Sequence, residues 1–142
     1  MKRYTFRLEQ VLRVRRLEEE QARASLLAAN AELNAAGERL RDRTERYHTM
    51  VAPTGPSQLT EFLAWRARRQ AAATALTDAG RAVDTATGQA AKARDGWTAA
   101  AAKVTALERL DERHRAEHAA AAAREFDQEI DDLVTSRHGR AM

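Results

Sequence analysis

Residues 22–40 read ARASLLAANAELNAAGERL, and the spacing of two residue types within them decides the fold. Leu26, Leu33 and Leu40 recur every seven residues, and Ala22, Ala29 and Ala36 recur between them at the same interval. Both rows lie on one stripe of a slightly underwound helix, the pattern by which one helix zips against another. Carried outward, the first row reads Leu12, Glu19, Leu26, Leu33, Leu40, Tyr47, and its companion Leu8, Arg15, Ala22, Ala29, Ala36, Arg43, Met50. At the N-terminal end the pattern inverts. Arg15 and Glu19 occupy seam positions, while Phe6, Val14 and Leu17 point away from the seam.

The helix must stop within MVAPTGPSQLTEF, residues 50–62, because Pro53 and Pro56 lack amide donors and push their predecessors out of helical geometry. Ser57 then suits an N-cap, with Glu61 in the first turn of a second helix. A second seam follows: Phe62, Trp65, Arg69, Ala72, Leu76, Ala79, Val83, Ala86, Ala90, Ala93, Trp97, Ala100, Val104 and Leu107, in steps of three and four. One short turn between two such patterns predicts an all-α fold, a long antiparallel two-helix coiled-coil hairpin. The expected layout is a single domain over 1–142, with helix 1 over about 5–50, a tip loop at 51–57, helix 2 over about 58–135 and a tail at 136–142. Gly80, Gly88 and Gly96 weaken helix 2, so a break near Gly80, with a short extra helical segment toward the tip, is allowed for.

Composition agrees with a narrow seam rather than a thick core. Of the 142 residues, 44% are hydrophobic but only 5% aromatic, and 32% are charged. There is no cysteine, which rules out disulfides and thiolate sites and fits a reducing compartment. The net charge of +3 is too small for this length to indicate nucleic-acid binding. No run approaches the roughly 18 apolar residues that cross a bilayer. A cytoplasmic protein is the expectation.

Beyond Leu107 the second seam meets Asp111, His114 and His118, and apolar residues return in another register as Ala116, Ala119, Ala123, Phe126, Ile130 and Leu133. In an antiparallel hairpin this is the same end at which helix 1 inverts. A local stutter would shift register without functional meaning. The alternative is a surface made for another protein, with Phe6, Val14 and Leu17 as its contacts. Charge matches the two ends: Lys2, Arg3, Arg7, Arg13, Arg15 and Arg16 stand against one acid in residues 1–16, while residues 108–132 carry nine acidic groups and four arginines. Such exposed pairs select an antiparallel partner more than they stabilise it.

Little here suggests catalysis. His114-Arg115-Ala116-Glu117-His118 fits the H-x-x-E-H pattern of inverted zinc proteases, but a thin hairpin offers neither a third ligand nor a dry cleft. Solvated helical histidines are the expectation there. The glycines stand singly, so no phosphate loop exists, and no cofactor is expected.

The opening FRLEQVLRVRRLEEEQARASL, with Phe6, Leu8, Val11 and Leu12 in the order Phe-x-Leu-x-x-Val-Leu, resembles the start of the FliJ family. The far end, AKVTALERLDERHRAEHAAAAAREFDQEIDDLVTSRHGR, resembles that family's C-terminal stretch: Leu107, Leu110 and Arg113, then an alanine- and charge-rich helix, then acids from Asp127 to Asp132. The resemblance spans essentially the whole chain. It implies a non-enzymatic component of the flagellar type III export apparatus, an antiparallel coiled coil that inserts as a stalk into the hexameric export ATPase and promotes its assembly and activity. It further implies contact with the cytoplasmic domain of the export gate, and in some members recycling of export chaperones. The implied location is the cytoplasm, peripheral at the inner face of the cell membrane. By this resemblance Arg13, Arg15, Arg16, Leu17 and Glu19 face the ATPase, joined by Leu110, Asp111, Arg113 and the helix beyond. Phe62, Trp65, Ala72 and Leu76 are the candidates for the gate. The alternatives are the equivalent stalk of an injectisome-type secretion system, a rotary ATPase shaft, a generic coiled-coil scaffold and an arginine-rich nucleic-acid binder.

Overall fold

The computed structural model describes residues 2–55 and 58–141. Among them are two helices and no strand: α1 spans Glu9–Thr49 and α2 spans Leu59–Arg140. The helices pack against each other as an antiparallel hairpin, the architecture expected from the seams. The contacts within it fall into two groups, one formed by Met1–Glu19 with Ala99–Met142 and one by Glu20–Thr98.

The helix ends follow from local chemistry. Glu9 lies in the first turn of α1 and Arg46 and His48 in its last, each sign favourable to the helix dipole. The first turn of α2 holds Glu61, and the Gln58 carbonyl accepts hydrogen bonds from the amides of Glu61 (3.0 Å) and Phe62 (3.3 Å). Pro56 and the expected cap Ser57 lie outside the described residues. Gly55, between the two helices, has φ 108°, a conformation open to glycine but strained for side chains with a Cβ. α2 runs unbroken past Gly80, Gly88 and Gly96 to Arg140, five residues beyond the expected end. Each glycine costs roughly 1 kcal/mol relative to alanine, a penalty that the flanking alanines and the packed seam absorb.

In the group Glu20–Thr98 the core is built from methyl groups. Ala36, Ala86 and Ala90 are buried, with Leu26, Leu33, Leu40, Leu76, Val83 and Trp97 half-buried around them. Alanine on facing positions lets helix axes approach closely, near the lower end of the usual ~8–10 Å. It also buries little apolar area per layer, so stability accumulates along the seam rather than at one centre. Arg69 is the polar member of the second seam, and its side chain swings outward. Its guanidinium lies 5.4 Å from the ring centres of both Tyr47 and Trp65, a cation–π contact to each.

Among the described residues of the group Met1–Glu19 with Ala99–Met142, Leu12 and Val104 are buried. Arg15 and Glu19 are half-buried, as their seam positions require, while Val11, Val14 and Leu17 are exposed. The expected inversion at this end is therefore present in the fold. Asp111, His114 and His118 continue the seam of α2 as half-buried residues, and Ala116, Ala119, Ala123, Phe126, Ile130 and Leu133 stand exposed.

Candidate functional site

A seam that carries Asp111, His114 and His118 needs polar and aromatic partners, and residues 2–8 supply them. This segment precedes α1 and folds against α2. The Tyr4 hydroxyl donates to Asp111 Oδ1 at 2.5 Å and lies 3.1 Å from the Asp111 carbonyl oxygen. The Tyr4 ring meets the His118 ring edge-on at 5.5 Å, and the Arg115 guanidinium sits 5.1 Å over it. Phe6 packs edge-on against His114, with ring centres 6.1 Å apart. Aromatic edges against faces suit the ring quadrupoles, so the two histidines are held by packing.

Two expectations are corrected by this arrangement. Phe6 is half-buried against its own chain rather than an open contact, because it lies before the helix and the helical count does not apply to it. His114 and His118 are half-buried rather than solvated, each turned to an aromatic ring. Tyr4, which no helical pattern singled out, is the residue that organises this end. Its pKa is pushed up to about 12, first by desolvation, then by its hydrogen bond to Asp111 and the charge of that carboxylate, with Arg115 opposing.

Beside this contact lies a cleft of about 460 Å³ lined by Arg3, Tyr4, Arg13, Arg16, Asp111 and Arg115 among others. Three of its arginines are engaged. Arg13 pairs with Glu9 at 3.7 Å, Arg16 reaches across to Glu108 at 3.3 Å, and Arg115 pairs with Asp111 at 3.4 Å. Arg15 pairs with Glu18 at 2.9 Å along its own helix. The candidates thus divide by exposure. Arg13, Arg16, Leu17 and Arg113 are exposed; Arg15, Glu19, Leu110 and Asp111 are half-buried in or beside the seam. Leu17 is 58% exposed and Val14 52%, and Val11 and Val14 line a shallow groove with Gln10, Arg15 and Glu18. Arg113 and Leu110 share another groove with Ala106 and Arg109.

The second candidate set splits in the same way. Ala72 and Leu76 are half-buried in the seam, whereas Phe62 is 45% exposed at the start of α2, next to exposed Leu59 and Leu63. Phe62 and Trp65 stack at 6.0 Å with ring planes 35° apart. The indole N–H of Trp65 is buried and has no acceptor among the described residues, an unusual condition for a polar atom.

The family model of the flagellar FliJ protein matches residues 4–142. The chain belongs to the FliJ family. No curated protein and no solved structure matches it. FliJ membership makes it a component of flagellar type III export, and the hairpin is the coiled coil that such a component implies. The match begins at Tyr4, so the segment that clasps α2 falls within the FliJ region as well as the two helices. Among the described residues, no helix is long and apolar enough to cross a membrane.

Proposed function

We propose that this FliJ-family chain is a non-enzymatic stalk that inserts into the ring of the flagellar export ATPase, promotes its assembly and turnover, and touches the cytoplasmic domain of the export gate. In this reading it works in the cytoplasm, peripheral to the cell membrane through the apparatus, and export chaperones are further partners. The observation that carries it is the coincidence of a whole-length family match with an apolar stripe, Val11, Val14 and Leu17, that the hairpin leaves open. Exposed apolar side chains flanked by charge are the usual makings of a protein contact. Arg13, Leu17, Arg16 and Arg113 meet the ATPase directly. Arg15, Glu19, Leu110 and Asp111 act beneath them by holding the seam in register. Phe62 and Trp65, supported by Ala72 and Leu76, face the gate.

The test is ATP turnover by the same organism's export ATPase, titrated with the chain and with an Arg13→Ala/Leu17→Ala variant. Stimulation by the natural chain is expected, with the variant needing at least about tenfold more protein for the same effect, the loss typical of one good contact. Helicity and melting should be the same in both, because the two side chains are exposed. If an ATPase shown to form hexamers is indifferent to both proteins, the stalk reading fails.

A further inference from the structure

Every described residue from 123 to 141 is exposed, although α2 continues as an unbroken helix to Arg140. This stretch is not polar all round. Phe126, Ile130, Leu133 and Val134 are between 42% and 63% exposed, and Ile130, Leu133 and Val134 line a shallow groove with Arg137. Counting Ala123, Phe126, Ile130, Leu133 and Arg137, the steps are three and four, a seam with none of the described residues covering it. An unbroken helix cannot bend back to cover itself, so the cover must come from another molecule.

Charge identifies that molecule. The first part of the segment is acidic, with Glu125, Asp127, Glu129, Asp131 and Asp132 against Arg124, and its end is basic, with Arg137, His138 and Arg140. Laid antiparallel on itself, such a segment matches acid to base at both ends. Laid parallel, it stacks acid on acid. At 100° per residue, Asp131 and Asp132 fall on the side of the helix away from the Phe126–Arg137 seam, so they do not oppose the pairing.

We propose that residues 123–140 form a two-fold, antiparallel interface with the same segment of a second copy of this chain. Ile130 of each copy packs on Leu133 of the other, and Arg137 lies over Phe126 of the other copy, flanked by Asp127 and Glu129. A two-fold contact is closed, so association stops at the dimer. With about five helical turns and few large apolar side chains, the dimer forms at high protein concentration and dissociates on dilution.

Because the chain has no cysteine, single cysteines report the geometry directly. Ala123→Cys and Arg140→Cys chains, mixed and gently oxidised, should give mainly the mixed disulfide, with little self-crosslinking of either alone. Sedimentation velocity over about a thousandfold range of concentration should show monomer passing to dimer for the natural chain and monomer alone for Leu133→Asp. Leu133 is exposed, so that variant should keep its helicity and melting. The proposal is overturned by a monomer at all concentrations, by a dimer that survives Leu133→Asp, or by self-crosslinking of Ala123→Cys that exceeds the mixed product.

Discussion

Two single residues resolve the oddities of this chain. Tyr4 gives Asp111 a donor in a seam that would otherwise hold a carboxylate with too few partners, and the cost appears in its own titration. Its folded pKa, about 12, stands above the ordinary 10.0. The neutral phenol is thus the form that the fold favours, so the contribution of this contact is complete below pH 10 and lost as pH rises through 12. Ring-labelled tyrosine NMR should show a resonance, absent in Tyr4→Phe, that titrates at about 12. Titration near 10 would mean that the Asp111 bond does not persist in solution. Arg69 plays a comparable part over Tyr47 and Trp65. Arg69→Ala should lower stability by about 1 kcal/mol, as for an exposed cation–π contact, and chemical denaturation would measure it. No change would show that the guanidinium is a bystander.

At the scale of the helices, the buried residues Leu12, Ala36, Ala86, Ala90 and Val104 all fall on the rows that heptad counting draws. This much was legible because a helix has one period, and the period fixes which side chains face inward. The clasp at Tyr4 and Phe6 was not, because these residues lie outside any helix and no period applies to them. The persistence of the α2 seam through Asp111, His114 and His118 was hidden for the same reason: their partners come from that aperiodic segment. The candidate surface was half legible. Spacing separated the exposed Leu17 from the half-buried Arg15 and Glu19, whereas the ion pairs of Arg13 and Arg16 depend on rotamers that spacing does not set. Glycine in α2 invites a further test. A Cβ at Gly80, Gly88 or Gly96 would meet nothing within 4 Å. The triple change to alanine should therefore stabilise the hairpin by roughly 2–3 kcal/mol, read from thermal melting by circular dichroism. A loss of stability instead would mean that these positions approach something in solution.

For the molecule as a whole, the division of labour follows burial. Beyond Ala122 no described residue is even half-buried, so a chain ending at Ala122 should melt within a few degrees of the full one. A large drop in melting temperature would reveal that residues 123–140 support the hairpin itself, and would count against a free C-terminal interface. The same chain separates the proposed contacts. It retains Arg13, Leu17 and Arg113 for the ATPase, and it lacks the seam by which two copies would join.

The grouping of contacts also has an optical side. Both indoles, Trp65 and Trp97, belong to Glu20–Thr98, while Tyr4 belongs to the other group. With Tyr47→Phe the chain would hold a single phenol, at Tyr4. Indole emission would then follow the melting of one group and tyrosine emission the other, in one cuvette and without an added dye. Coincident curves would mark a hairpin that opens all at once; separated curves would show which group of contacts yields first.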